Sequence, residues 1–153
     1  MTPDEIRARN WKSVETYFAE FTDTRADLFT EDALAVYPFC GDTPDVPGTR
    51  GRERIRETFA HGMKVFHPME YVDVRISSTQ DPDLFWAEAT SRGKQHRDGE
   101  VIDVYNKYVF YFRFEDGRIA EMREYYNPIL AMKANHCAFE MPGFFYRAPE
   151  KQP

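Results

Sequence analysis

Between Arg118 and Tyr126 the chain alternates as a strand does, and one side chain interrupts an otherwise apolar face. Glu124 shares that face with Ala120, Met122 and Tyr126. A carboxyl in apolar surroundings has its charged form disfavoured, which raises its pKa toward values suited to taking and returning a proton near neutrality. Two roles are open to it: an acid–base group facing a ligand, or a structural carboxylate paired with an arginine or a tyrosine hydroxyl. His61 is a candidate by residue type, because imidazole titrates near neutral pH. At about 100° per residue, however, it falls away from the Ile55–Phe59–Phe66 side of its helix, and Thr58 and Gly62 lie nearer the edge of that side. Arg92 and Arg123 are the cations available to a substrate carboxylate. Arg123 adjoins Glu124 and so points to the other face; Arg92, in step with Trp86 and Glu88 beside a turn, also reads as a solvated cation.

Aromatic residues make up 16% of the chain, with 13 Phe, 9 Tyr and 2 Trp, as either a bulky core or a ligand cavity would need. Tyr37, Phe39, Phe66, Trp86, Tyr108 and Tyr126, with Met122, are the expected lining of such a cavity, and as a set they suit a flat, partly apolar ligand. Several other chemistries lack their motifs. His67, His96 and His136 fall in loops or just past a helix, and no ligand pair has metal spacing. A G-x-S-x-G elbow, a P-loop and a dinucleotide-binding glycine fingerprint are all missing, so the expectation is a reaction without metal or cofactor.

The net charge of −6, from 20 basic and 26 acidic residues, repels phosphate backbones and argues against nucleic-acid binding. No apolar run approaches the roughly 18–20 residues of a membrane span. The start, Met1-Thr2-Pro3-Asp4-Glu5, is unlike a signal peptide. Cys40 and Cys137 stand far apart and read as free thiols of a cytoplasmic protein.

The elements that must position these residues follow from periodicity and breakers. Thr2, Pro3 and Glu5 form a helix start with a capping box, followed by a stripe of Ile6, Val14, Tyr17, Phe18 and Phe21. Thr24 is expected to cap a short helix through Phe29, and Ala33–Phe39 to form a strand ending in a loop with Gly41, Pro44, Pro47 and Gly48. A helix after Gly51 presents Ile55, Phe59, Gly62, Met63 and Phe66, with Pro68 marking its end. Four strands follow, Tyr71–Ser77, Leu84–Arg92, Val101–Phe114 and Arg118–Tyr126. Their turns are Asp81-Pro82-Asp83, Arg97-Asp98-Gly99 and Glu115-Asp116-Gly117. In the third strand Tyr108, Phe110, Phe112 and Phe114 share one face. Asn127 and Pro128 begin a short helix through Ala134. Helices first and then a meander give an α+β class, a single domain over 1–153 with a core to about residue 135 and a tail over 136–153.

The segments ADLFTEDA (Ala26–Ala33), DPDLFWAEATSRGK (Asp81–Lys94) and FRFEDGRIAEMREYYN (Phe112–Asn127) occur in an order that resembles the SnoaL-like branch of the nuclear transport factor 2-like superfamily. Within it they are most similar to the phenazine biosynthesis proteins A and B. The resemblance implies a cone-shaped fold, N-terminal helices on a curved antiparallel sheet, and a homodimer with a deep pocket in each subunit. It further implies the joining of two molecules of an aminocyclohexenone carboxylate, with a glutamate that matches Glu124. The family's helix histidine is replaced here by Thr58. The expected function is a cofactor-independent enzyme of secondary metabolism acting on a cyclic ketone or aromatic precursor by condensation, cyclisation, isomerisation or dehydration. The alternatives are a non-catalytic binder of a small aromatic molecule and a structural dimer module.

Overall fold

The computed structural model describes residues 1–39 and 48–134. The expected tail, Cys40, Cys137, His136 and most of the breaker loop lie outside the described residues. Helix α1 (Pro3–Ala19) begins as its sequence dictates: Thr2 Oγ1 accepts from the Glu5 amide at 3.3 Å, and the Thr2 amide donates to Glu5 Oε2 at 2.7 Å. Its buried side is Asn10, Val14, Tyr17 and Phe18. A 3-10 turn (Asp23–Leu28) leads into β1 (Phe29–Val36). The N-cap of that turn is Thr22 rather than Thr24, and the two hydroxyls bond each other at 2.6 Å. After the short β2 (Thr49–Arg50), helix α2 (Arg52–Val65) buries Ile55 and Phe59.

The long strands β3 (Phe66–Ser78), β4 (Leu84–Arg97), β5 (Glu100–Glu115) and β6 (Arg118–Tyr126) precede α3 (Pro128–Ala134). The sheet order is β2-β1-β6-β5-β4-β3. All pairings are antiparallel except β1 with β6, which run parallel. Asp98-Gly99 and Asp116-Gly117 close the β4–β5 and β5–β6 hairpins with both residues at positive φ (51° and 82°, 47° and 80°). That is the geometry whose twist matches paired strands.

Several boundaries depart from the sequence expectation, most of them through a distant pairing. β1 starts at Phe29, where it meets Ile119, and ends at Val36 rather than Phe39. Phe66, His67 and Pro68 belong to β3 instead of ending α2, because Phe66 pairs with Gln95. A proline is tolerated there because β3 is an edge strand with an unpaired side. β4 accordingly runs on to Arg97.

Between the helices and one face of the sheet lies an aromatic core. Tyr17, Phe29, Phe85, Phe110 and Phe112 are fully buried, with Phe110 and Phe112 stacked along β5 at 5.9 Å. At Gly93 on β4 a side chain has no room: an added Cβ would run into the Pro68 carbonyl oxygen and come within 2.9 Å of the Met69 Cα. Gly93→Ala is therefore expected to destabilise the fold by about 1–3 kcal/mol, through displacement of β3. A urea melt with an unchanged midpoint would show that β3 is not held this closely.

Candidate functional site

Past the aromatic core, the same face of the sheet opens into a cavity of about 320 Å³. Its walls are Tyr37 beyond β1, Phe66 and Met69 at the start of β3, Ser91 and Gln95 on β4, Val104 to Asn106 and Tyr108 on β5, and Glu124 and Tyr126 on β6. α3 covers it with Leu130, Ala131 and Ala134. Two asparagines fix that cover. The Asn106 Nδ2 donates to the Asn127 carbonyl at 3.1 Å, and the Asn127 amide donates back to Asn106 Oδ1 at 2.9 Å. Asn127 Oδ1 in turn accepts from the Ile129 and Leu130 amides at 3.0 and 3.4 Å, capping α3.

Glu124 faces the cavity from β6, opposite Phe110 of β5. Burial pushes its carboxyl up to about 7, an effect that the charge of Arg25 partly offsets. Tyr108, two positions along β5, shares a 3.1 Å hydrogen bond with the Ser91 hydroxyl. Burial and the nearby Glu124 push the Tyr108 phenol well above its ordinary range, so it stays protonated and able to donate.

Arg25, a residue the sequence reading missed, is buried in the 3-10 turn with 5% exposure. Its guanidinium lies 4.4 Å from the Phe59 ring centroid, 4.6 Å from Phe21, 4.7 Å from Tyr17 and 5.9 Å from Tyr71, a cage of aromatic faces. Nε donates to the Thr22 carbonyl at 2.9 Å, while Nη1 is buried without a hydrogen-bond partner. A cation enclosed in this way draws its compensation from π faces and, at longer range, from Glu124. No local signal marked it, because Thr22, Asp23, Thr24 and Asp27 around it read as an ordinary polar turn.

Of the residues singled out from sequence, Tyr37, Phe66, Tyr108, Glu124 and Tyr126 come together around the cavity. Met122 lies in the core beside it, fully buried, and accepts from the Tyr17 hydroxyl at 3.5 Å. Trp86 is on the opposite face of the sheet, 39% exposed and edge-on to Tyr111 at 5.2 Å. Arg92, in step with it, is exposed on that face too. Phe39 is 53% exposed against Tyr125, and its carbonyl accepts from the Tyr126 hydroxyl at 3.1 Å. Thr58 and His61 do not reach the cavity: the Thr58 hydroxyl donates to the Arg54 carbonyl at 3.0 Å, and His61 is exposed on α2. The inward row of β4 is instead Ala87, Ala89 and Ser91, small residues that leave space in front of Tyr108. Their alternation with large or charged neighbours was the signal for this face.

Helices packed on one face of a mainly antiparallel sheet, with a cavity between them, are the architecture of the SnoaL-like, nuclear transport factor 2-like fold. The crystal structure of the phenazine biosynthesis-related protein PhzB2 of Pseudomonas aeruginosa superposes with a TM-score of 0.80 at 24% identity, covering 99% of this chain and 97% of that one. A proposed SnoaL-like polyketide cyclase of Jannaschia sp. CCS1 superposes with a TM-score of 0.65 at 20% identity, over 83% of this chain and 91% of that one. In sequence, the phenazine biosynthesis protein PhzA2 of P. aeruginosa is 34% identical over 139 residues, 85% of this chain and 82% of that protein. Residues 2–142 match the profile of the family Phenazine biosynthesis protein A/B. The chain belongs to that family.

The placement of Glu124 has a consequence for stability. Unfolded, the carboxyl titrates near about 4.3; folded, it holds its proton up to about 7. The folded state thus binds the proton more tightly, and stability falls as pH rises between these values. Glu124→Gln is expected to exceed the wild type by about 1–3 kcal/mol above pH 8 and to match it near pH 4. Thermal melts at the two pH values check this; a difference independent of pH would mean that the buried charge is not its cause.

Proposed function

We propose that this chain is a cofactor-independent enzyme of secondary metabolism acting on a cyclic ketone or aromatic precursor, with Glu124 as its acid–base group. The observation that carries this reading is a half-buried carboxyl, the one carboxyl among the described lining residues of a ligand-sized cavity, which desolvation pushes up to about 7. A group with that pKa can take a proton from the carbon beside a carbonyl and return it elsewhere on the ring. The Tyr108 hydroxyl, steadied by Ser91, would donate to the carbonyl oxygen as negative charge gathers on it. Among the described lining residues there is no histidine, so in this reading proton transfer rests on the carboxyl and the phenol.

Family membership supports a small-molecule ligand and a cyclase or isomerase type of reaction. We place the protein in the cytoplasm and take it to be a homodimer, its copies meeting through the outer face of the sheet, where Trp86, Tyr105 and Val109 are exposed. Among the described residues no helix is long and apolar enough to cross a membrane.

The test is proton exchange in D2O, followed by NMR, on a panel of cyclohexenones. The wild type is expected to catalyse exchange beside the carbonyl, with a rate that rises with pH to a plateau above about 7, the value at which Glu124 loses its proton. Glu124→Gln should lower the rate by about 10²–10⁴ while leaving ligand affinity nearly unchanged. Tyr108→Phe should lower it by about 10²–10³. Binding without exchange would assign the protein as a carrier; exchange that survives in Glu124→Gln would remove the carboxyl from the mechanism.

A further inference from the structure

Arg25 is a buried charge that the acid–base chemistry leaves without a use. It is 5% exposed, and among the described residues it forms no ion pair. Its Nη1 is also without a hydrogen-bond partner. Burying a cation in this way is costly, and an apolar side chain of similar volume is often at least as stable. Packing alone therefore gives no reason for an arginine at this place.

Two lines of rings lead from the guanidinium to the cavity wall. Tyr71, one face of the cage, meets Tyr108 edge-on at 5.8 Å. Tyr17, another face, meets Phe110 edge-on at 5.8 Å, and Phe110 is the cross-strand neighbour of Glu124. The cation thus stands behind a layer of rings, where its charge acts on the carboxyl without contact. That separation decides the outcome. In contact, an arginine holds a carboxyl ionised well below neutrality, and the group no longer returns a proton. With no cation, burial acts unopposed and the group keeps its proton past neutrality.

Of the groups around Glu124, Arg25 is the one cation among the described residues whose charge reaches it. Burial, with the Glu124 carboxylate adding to it, pushes the phenols of Tyr17, Tyr71 and Tyr108 well above their ordinary range, so these are uncharged near neutrality. Tyr37 and Tyr126 bring two more phenols to the cavity, β3 brings Phe66 and Met69, and β4 and α3 face it with Ser91, Gln95 and Leu130.

We propose that Arg25 is a positioning residue of this site: through the rings of Tyr17 and Tyr71 it braces the wall that carries Tyr108 and Glu124, and its fixed charge lets Glu124 serve as a base near neutral pH. The proposal rests on the reading of Glu124 as the acid–base group. Arg25 itself touches no reacting atom and takes no part in a covalent step.

The test reads Glu124 directly, by ¹³C NMR titration of its side-chain carboxyl, assigned by its loss in Glu124→Gln. Removing the cation removes what favours the charged form, so the midpoint in Arg25→Met is expected to rise above that of the wild type by about 1–3 pH units. Arg25→Lys, which keeps a cation, should titrate closer to the wild type. In the D2O exchange experiment the same shift lowers the Arg25→Met rate at pH 6 by about tenfold or more and retains the plateau at high pH. A purely structural role would instead lower the rate at every pH alike and leave the midpoint in place. A midpoint in Arg25→Met equal to that of the wild type would overturn the proposal. So would failure to fold of both Arg25→Met and a second neutral variant, Arg25→Gln, since the cation would then belong to the core alone. The NMR midpoint needs no substrate, so a wild type that catalyses no exchange would count against the acid–base reading of Glu124, while the titration still decides whether Arg25 sets its charge.

Discussion

A carboxyl partly withdrawn from water among apolar side chains is the constraint around which the rest of this structure is arranged. Such a group is destabilising in its charged form, and the fold keeps it by two means. It leaves Glu124 facing a cavity rather than solid core, and it places the buried cation of Arg25 where its field reaches the carboxyl. The cation is itself a cost, since its Nη1 has no hydrogen-bond partner. Four aromatic rings around the guanidinium offset part of that cost, which gives the density of aromatic residues at the closed end a use beyond apolar burial. Attraction between Arg25 and Glu124 alone would lower the carboxyl's pKa; desolvation outweighs it, and the balance lies near neutrality.

The cavity is kept open by an arrangement of sizes. β5 turns large rings inward, and β4 faces them with Ala87, Ala89 and Ser91, so the row that could fill the space is small. Its cover needs an exact attachment because α3 is only two turns long. Asn106 and Asn127 provide it by satisfying backbone groups at the end of β6 and the start of α3. The strands bring most of the polar groups that face the cavity, and paired strands hold side chains more rigidly than loops do.

Much of the fold was legible in the sequence because its signals are local. The capping box of Thr2 and Glu5, the two Asp-Gly turns and the alternation of Tyr108, Phe110, Phe112 and Phe114 each depend on a few neighbouring residues, and the structure has all of them. Boundaries at Phe29 and Phe66 were not legible, because they are set by partners about 90 and 29 residues away, Ile119 and Gln95. The candidate site was legible in part. Glu124 stands out as a charge on an apolar strand face, whereas Arg25 looks like any surface arginine until the rings around it are assembled.

By itself the sequence determined which residues of a strand share a face, and so grouped Glu124 with Met122 and Tyr126, and Trp86 with Arg92. Period-two geometry requires that much whatever the strand packs against. Only the tertiary structure decided which of the two faces is inside. On β4 Phe85 and the alanines turned inward, while Trp86 went outward with Glu88 and Arg92, so the aromatic expected in the cavity lies on the outer face. Alternation is a property of one strand, while the choice between its faces depends on the volume left by every other element.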